Sequence, residues 1–260
     1  MAGRYFIVFC MLAGLSACSS NGEKKPDGRA ELSAMQLYRE AKSALDSGDY
    51  EMAIQKFESL EGRFPFGPYA QQAQIDIAYA YYKFDEAESA VGAADRFIKM
   101  YPRHPRVDYA YFIKGLAKFN QGHSAFDNLP SQDPAKRDPA AVQKSYQYFQ
   151  ELLTRFPDSI YADDARQRLV YLRNNLARFE LYTAEFYFQT GAYVAAANRG
   201  KYILEHFART PSIPGALAVM ARAYHTLGLS DLEHDTLRVI ALNYPDHAVI
   251  KELRGKVAKK

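Results

Sequence analysis

From about residue 31 to residue 250, the chain alternates between stretches with apolar residues at helical spacing and short polar or glycine-containing breaks. The segment 159–189 shows the spacing most clearly, since it contains neither proline nor glycine and its apolar residues return every three or four positions. Such spacing puts apolar side chains on one face of an α-helix. The pattern predicts an all-α protein with one long helix near 159–189.

Aromatic-proline pairs divide this helical pattern at intervals and reveal an internal repeat. The pairs are Phe64-Pro65, Tyr101-Pro102, Phe156-Pro157 and Tyr244-Pro245. Each pair closes a helical stretch, and 37 positions separate Pro65 from Pro102. This period is close to that of tetratricopeptide (TPR) helical hairpins. We therefore expect a TPR-like α-solenoid of about five hairpins, or ten helices.

Two intervals are longer than the period and predict departures from a regular stack. The 55 positions from Pro102 to Pro157 include the segment 123–138, which contains two prolines and reads as an inserted loop. The fourth repeat has Ala208 in place of the closing proline, 51 positions after Pro157. We assign its extra length to the long helix. The inserted loop falls inside the third repeat.

The N-terminus has the features of an export signal, with Arg4 followed by an apolar run over 5–17. That run is too short to span a membrane, which takes about 20 apolar residues. It ends in Leu15-Ser16-Ala17-Cys18, which resembles the lipobox of bacterial lipoproteins. An ordinary signal peptide with an incidental cysteine is the alternative interpretation. The lipobox resemblance implies that Cys18 carries covalent N-palmitoyl and S-diacylglycerol groups. We expect no cofactor. Ser19 in place of an aspartate implies the outer membrane as the destination.

These features predict six segments along the chain. They are a signal peptide over 1–17, a lipid-bearing flexible tether over 18–30, repeats 1, 2 and the first helix of repeat 3 over 31–122, the inserted loop over 123–138, the second helix of repeat 3 with repeats 4 and 5 over 139–250, and a basic tail over 251–260. We expect the segment 31–122 to carry a substrate-side groove and the segment 139–250 to dock a partner.

The residue inventory argues against catalysis, metal binding and nucleic-acid binding. The only cysteines are Cys10, which leaves with the signal, and Cys18, so the mature domain has no thiol for a disulfide, a nucleophile or a metal. The six histidines form no His-Glu-x-x-His motif and have no partner at metal-ligand spacing. The formal net charge of +3 is spread along the chain rather than clustered, unlike a nucleic-acid-binding face. We expect no metal and no enzyme.

Aromatic residues supply the candidate binding site, since the chain has 20 tyrosines and 16 phenylalanines but no tryptophan. In a TPR stack the first helix of each hairpin lines the concave surface. The residues at those positions are Tyr38, Lys42, Gln72, Ile75, Tyr79, Tyr82, Tyr109, Phe112 and Phe119. For any single ring, packing between repeats is the alternative role. As a group they predict a groove for an extended peptide with aromatic side chains.

Longer motifs carry a more specific resemblance. They are Phe64-Pro65-Phe66-Gly67-Pro68-Tyr69-Ala70-Gln71-Gln72, Tyr79-Ala80-Tyr81-Tyr82-Lys83, Asp95-Arg96-Phe97-Ile98, His104-Pro105, Asp108-Tyr109, Arg137-Asp138-Pro139, Arg168-Leu169-Val170, Ala184-Glu185, Gly191-Ala192-Tyr193-Val194-Ala195 and Asn198-Arg199. Together they resemble the BamD (ComL/YfiO) family, lipoproteins of the outer-membrane β-barrel assembly (BAM) machinery. The resemblance covers nearly all of the mature chain.

The resemblance implies a non-catalytic scaffold on the periplasmic face of the outer membrane. Its implied partners are unfolded outer membrane proteins at the N-terminal repeats, the POTRA domains of a BamA-like barrel protein at the C-terminal repeats, and other BAM lipoproteins. Arg199 matches a basic position at the POTRA docking surface, and an ordinary helix-surface arginine is the alternative. The departure at Ala208 puts the local geometry just beyond Arg199 in question.

Two other functions compete with barrel assembly. One is a general periplasmic TPR adaptor lipoprotein that acts in peptidoglycan-linked processes or in DNA uptake (competence). The other is an enzyme such as a murein hydrolase, but five hairpins use up the chain and leave no room for an appended catalytic domain.

Overall fold

The computed structural model describes residues 28–121 and 139–257, and within them every regular element is an α-helix. In chain order the helices are α1 Gly28–Asp46, α2 Tyr50–Arg63, α3 Pro68–Lys83, α4 Ala87–Met100, α5 Val107–Gln121, α6 Ala140–Arg155, α7 Ala162–Gln189, α8 Tyr193–His206, α9 Ile213–Leu227, α10 Ser230–Asn243 and α11 Ala248–Val257. The predicted signal segment, Cys18 and the inserted loop lie outside the described residues. The predicted all-α, TPR-like solenoid is confirmed.

Tight turns connect the two helices of a hairpin, and a left-handed residue makes each of four such turns possible. Gly48, Gly191 and Gly228 have φ of 83°, 82° and 72°, and Asp85 has φ of 63° in the equivalent turn between α3 and α4. The next residue in each turn donates its N–H to the carbonyl five positions earlier, at 2.9–3.0 Å. Each bond provides a donor for a carbonyl oxygen in the last turn of the helix, which has no donor within the helix itself.

The second helix of each hairpin ends at an aromatic residue. Phe64, Tyr101, Phe156, Phe207 and Tyr244 each donate a backbone N–H to the carbonyl four positions earlier, at 2.7–2.9 Å. A proline follows in four of the five cases and cannot continue the helix, because its nitrogen has no hydrogen to donate. Helix α8 ends in the same way, although Ala208 and not a proline follows Phe207. The next residue, Arg209, is left-handed, with a φ of 66°.

The helices form two layers, because each odd-numbered helix of the first three hairpins contacts the next one. Helix α1 packs against α3, and α3 against α5. Buried alanines at these crossings, including Ala41, Ala73 and Ala110, let the helices approach closely. The core of the first two hairpins is filled by the fully buried rings of Phe57 and Phe97.

Helix α7 links the two halves of the solenoid. At 28 residues it is about 42 Å long at 1.5 Å per residue. Its first half buries Leu172 in the core shared by α5 and α6, and its second half buries Ala184 against α8 and α9. The long helix predicted near 159–189 is confirmed, and it begins three positions later at Ala162.

Two details of the predicted organisation differ from the structure. An eleventh helix covers Ala248–Val257, so most of the predicted basic tail is helical and the count of ten helices was one too low. Its Val249, Ile250 and Leu253 are buried against α9 and cover the apolar end of the stack, which every solenoid must protect from water. At the other end, α1 begins at Gly28, inside the segment predicted as a flexible tether.

Candidate functional site

The odd-numbered helices of the first three hairpins bring most of the predicted groove residues onto one surface. We call this surface the trough and define it by the side chains of α1, α3 and α5 that face it, together with Arg106 before α5 and Tyr161 before α7. The trough follows from helix geometry, since positions three and four apart share one helix face. Tyr38, Gln72, Tyr79, Tyr82 and Tyr109 lie in it, each partly buried.

A buried carboxylate organises the middle of the trough. The side chain of Asp76 on α3 is only 8% exposed. Its oxygens accept a hydrogen bond from the Tyr38 hydroxyl at 2.7 Å and from the Gln72 amide at 3.1 Å. A guanidinium nitrogen of Arg106 lies 3.7 Å from the same carboxylate. A buried charge is tolerated only with such partners, so Asp76 fixes the positions of three side chains that reach the trough surface.

Two tyrosines of the trough hold their protons more strongly than usual. Burial, followed by the hydrogen bond to Asp76, raises the pKa of Tyr38. Burial also raises the pKa of Tyr109, and the neighbouring phenols of Tyr79 and Tyr161 add to the rise. Both hydroxyls are therefore neutral at physiological pH. The Tyr38 hydroxyl gives its one hydrogen to Asp76 and can accept a further bond, while the Tyr109 hydroxyl can donate to a carbonyl or carboxylate oxygen.

Aromatic rings and one cation form the rest of the trough surface. The Arg106 guanidinium lies 4.9 Å from the centre of the Tyr109 ring, close enough for a cation–π contact. The Tyr109 and Tyr161 rings are 5.2 Å apart, and those of Tyr79 and Tyr82 are 6.1 Å apart. This surface offers aromatic faces, phenolic hydroxyls and a positive charge, but no nucleophile or paired acid and base.

Two predicted groove residues are instead part of the core, and their assignment to the groove is wrong. Ile75 is 0% exposed and packs between α3 and its neighbours. Phe112 is 7% exposed because Tyr161 stacks on its ring at 4.7 Å. Both face inward because an α-helix places positions 75 and 112 on the side that meets the adjacent helix rather than the open surface.

Lys42 and Phe119 lie at the ends of the predicted groove and have local partners. Lys42 forms an ion pair with Asp46 at 2.7 Å, one turn further along α1. The Phe119 ring packs 5.7 Å from Tyr171 of α7, and the Arg168 guanidinium lies 4.7 Å from its centre. Phe119 therefore connects the trough to the first half of the long helix.

Sequence reasoning missed Asp76, Arg106 and Tyr161, which hold the trough together. Asp76 had a visible signal: it is the only charged residue from Pro68 to Tyr82, a stretch otherwise made of apolar, tyrosine and glutamine residues. A lone carboxylate on a helix face of that kind usually has a buried partner. Arg106 and Tyr161 precede their helices, and only the packing of successive hairpins brings them to the trough.

Arg199 lies on α8, in the second half of the protein. Its guanidinium donates to the Glu180 carboxylate of α7 at 2.9 Å, and Arg199 and Glu180 are 35% and 13% exposed. The Tyr202 ring lies 5.7 Å from the same guanidinium. The exposed part of the side chain leaves room for a partner, while the ion pair holds α8 against α7.

The part of the chain that the structure describes has neither a metal-binding cluster nor a membrane-spanning helix. No group of three or more histidine, cysteine, aspartate or glutamate side chains in 28–121 and 139–257 could hold a metal ion. Among the helices of the same two ranges, none combines the length and the apolar character needed to cross a bilayer.

The fold and the trough together define a class, the helical-repeat scaffolds with an aromatic inner surface. The family described as "YfiO: Outer membrane lipoprotein" matches residues 30–239. The chain belongs to this family. The resemblance inferred from the sequence motifs is confirmed.

Curated relatives agree with this assignment. The chain is 42% identical over 240 residues to an outer membrane protein assembly factor BamD of Neisseria meningitidis, covering 92% of this chain and 90% of that one. It is 37% identical to the assembly factor BamD of Vibrio cholerae, covering 89% and 95% of the two chains. Among solved structures, the TPR2AB domain of yeast Sti1 in complex with an Hsp90 peptide has a TM-score of 0.43 and 13% identity, covering 85% and 81%.

Proposed function

We propose that this protein is a non-catalytic scaffold of the outer-membrane β-barrel assembly machinery that helps barrel proteins fold and insert. Its trough binds unfolded outer membrane proteins, and its C-terminal hairpins dock on the POTRA domains of a BamA-like barrel protein. The names of the relatives support the assembly role. The trough, with Asp76 at its centre, is the observation that supports substrate binding.

The chemistry of the trough suits an extended peptide with aromatic side chains. A β-strand that is not yet part of a sheet has backbone groups without hydrogen-bond partners and an apolar side chain at every second position. The hydroxyls of Tyr79 and Tyr82 can bond backbone groups, while their rings pack against aromatic side chains. The Arg106 guanidinium adds a site for a carboxylate or for a backbone carbonyl. Phenol rings bind without strong sequence preference, as a factor serving many barrel proteins requires.

Docking at the C-terminal half involves Arg199 and the neighbouring outer helices. The Arg199 guanidinium has donors beyond the one bonded to Glu180, so it can bond a carboxylate of a POTRA domain as well. Helix α10 adds exposed apolar side chains, among them Leu232 at 47% and Leu242 at 77%. Apolar exposure of this extent marks protein contact surfaces, and it suits the POTRA domains or the other BAM lipoproteins.

Lipid on Cys18 would hold the scaffold on the periplasmic face of the outer membrane. Acyl chains contribute about 0.8 kcal/mol of membrane binding per buried methylene, so several chains anchor a protein firmly. Palmitate-labelling of the full-length protein, with Cys18→Ser as the control, tests the attachment.

Peptide binding by the full-length protein tests the trough directly. Peptides with the sequence of a barrel protein's last strand should bind, and Tyr79→Ala with Tyr82→Ala should weaken binding about tenfold or more, the effect expected for two aromatic contacts. The matched control is Tyr81→Phe, because Tyr81 is on the same helix but donates to Glu58 of α2 instead. Helical content by circular dichroism should be unchanged.

Two results would contradict this role of the trough. Equal binding by the double variant and the wild type would place the substrate elsewhere. A parallel fall in binding and helical content would identify Tyr79 and Tyr82 as packing residues.

A further inference from the structure

The two edges of the solenoid differ in chemistry. Successive helices connected by short turns run antiparallel, so all odd-numbered helices begin at one edge and all even-numbered helices end there. We call this the loop edge and restrict it to the first three hairpins, where the connections are 64–67, 101–106 and 156–161. The opposite edge contains the turns within hairpins.

Large apolar side chains point into solvent at the loop edge. Phe66 is 89% exposed and Ile160 is 86% exposed, and each stands in a short connection between two helices. Met100, in the last turn of α4, is 49% exposed. Large apolar side chains are mostly buried in a folded protein. Three exposed ones on the same edge indicate a surface that contacts lipid or another protein.

Exposed basic residues lie in or beside the first two connections, whereas the third contains the exposed Asp158, two positions before Ile160. Arg63 ends α2, Lys99 lies in the last turn of α4, and Arg103 lies in the connection between α4 and α5. Basic residues in last turns also suit the helix dipole, but the dipole does not account for Arg103 or for the exposed apolar tips. The opposite edge differs in charge, since its turns 47–49 and 84–86 contain three acidic residues and no basic one. It also exposes an aromatic ring, that of Phe84, but to 43% rather than the 89% of Phe66.

We propose that the loop edge rests on an anionic phospholipid surface. Apolar tips that enter the acyl boundary, with cations beside them at the level of the phosphates, are the usual chemistry of interfacial membrane contact. The chain direction favours the same occupant, because α1 begins at the loop edge. Cys18 is ten positions before Gly28, a reach of at most about 35 Å. A lipid on Cys18 would therefore keep this edge near the membrane.

In this arrangement the anchor supplies membrane affinity and the loop edge supplies orientation. The hairpins would stand on the membrane on their loop edge. The trough would then face sideways, parallel to the membrane plane, and not away from the membrane. The proposal does not depend on peptide binding in the trough, and none of the positions changed to test it is assigned to the trough.

Site-specific fluorescence on the full-length lipidated protein tests the proposal. Apart from Cys18 the mature chain has no cysteine, so Phe66→Cys and Ile160→Cys can each carry one NBD probe. Ser47→Cys, at an exposed position in the turn between α1 and α2, is the matched control on the opposite edge. Both replaced side chains are almost fully exposed, so folding should be preserved; circular dichroism checks this. The protein is reconstituted in vesicles of phosphatidylcholine with or without phosphatidylglycerol.

The expected result is a blue shift and a severalfold rise in NBD emission at positions 66 and 160 in the phosphatidylglycerol vesicles. Lipids with a shallow doxyl group should quench this emission, while the emission at position 47 stays as in water. Charge reversal by Arg63→Glu with Arg103→Glu should reduce the effect at position 66. Water-like emission at both tips would overturn the proposal, as would a blue shift that appears only when partner proteins are added.

Discussion

The hydroxyl of Tyr38 donates a hydrogen bond to Oδ2 of Asp76 at 2.7 Å, although the two residues are 38 positions apart. This bond joins α1 to α3 across the first two hairpins and connects the trough surface to a buried charge. Asp76 therefore serves both stability and site geometry. Its substitution should affect the two properties to different degrees.

Removal of the Asp76 carboxylate should destabilise the first two hairpins. Asp76→Ala leaves the donors of Tyr38 and Gln72 without their acceptor, at a cost of about 2 kcal/mol. Asp76→Asn keeps an acceptor oxygen of similar size, so its cost should be smaller. Urea unfolding followed by circular dichroism measures both. Equal stability of Asp76→Ala and wild type would mean that water replaces the carboxylate without loss.

Tyrosine ionisation should occur in two groups as pH rises. Burial, with the hydrogen bond to Glu58, raises the pKa of Tyr81 from 10.0 to about 12, and burial raises those of Tyr38 and Tyr109. The folded state thus holds these protons more strongly than the unfolded state. The contribution of Tyr81 to stability is complete below pH 10 and declines between pH 10 and about 12. The contributions of Tyr38 and Tyr109 are likewise complete below pH 10 and are lost as the pH rises through their raised pKa values.

Absorbance at 295 nm measures this ionisation cleanly, because the chain has no tryptophan. Part of the tyrosine signal should appear only above pH 11, together with loss of helix, and should move to near pH 10 in guanidinium chloride. Tyr81→Phe should reduce the late fraction. Ionisation of all tyrosines in one step near pH 10 in the folded protein would contradict the raised pKa values of Tyr38, Tyr81 and Tyr109.

Close packing of α5 on α6 should make Gly115 intolerant of a side chain. A Cβ there would lie 2.4 Å from the ring of Phe149, which is fully buried. Gly115→Ala should therefore cost about 1–3 kcal/mol by overpacking. Gly62→Ala is the matched control, since a Cβ on Gly62 of α2 would meet nothing within 4 Å and should gain up to about 1 kcal/mol of helix propensity.

Thermal melts of the two glycine variants give the comparison. The melting temperature should fall for Gly115→Ala and stay or rise for Gly62→Ala. A fall of the same size in both would show that helix flexibility, rather than contact with Phe149, determines the effect.

A charge swap separates the two roles of Arg199. Arg199→Glu should lose the ion pair to Glu180, at a cost of about 1 kcal/mol or less for a partly exposed pair. Adding Glu180→Arg should restore the pair and the stability. If Arg199 docks on a POTRA domain, binding to that domain should stay weak in the swapped protein. Recovered binding would instead assign Arg199 to the packing of α8 on α7.

The sequence predicted the fold well because its signals are local. Aromatic-proline pairs end helices, glycines such as Gly48 form the turns, and the uninterrupted segment 159–189 contains the long α7. Helix α11 was missed because it is short and crosses the boundary predicted at residue 250, which left Val249 and Ile250 in the last repeat and Leu253 in the basic tail. Only the need to cover the end of the stack explains it.

The trough was predicted less completely because it depends on contacts between distant parts of the chain. Helical spacing predicted Tyr38, Tyr79 and Tyr109 as groove residues, and in the structure Tyr38 bonds Asp76 while Tyr109 lies close to Tyr79. The same spacing placed Ile75 in the groove, since a small rotation of the helix decides between core and surface. The role of Asp76 required knowledge of which helices are neighbours.

Affinity purification of the full-length protein from the detergent-solubilised envelope of its own cells tests the assembly role most directly. Mass spectrometry would identify the chains that co-purify. The account predicts a POTRA-bearing outer-membrane barrel protein in near-equal amount. Its absence, with peptidoglycan or DNA-uptake proteins in its place, would contradict the assembly role and favour a general periplasmic adaptor.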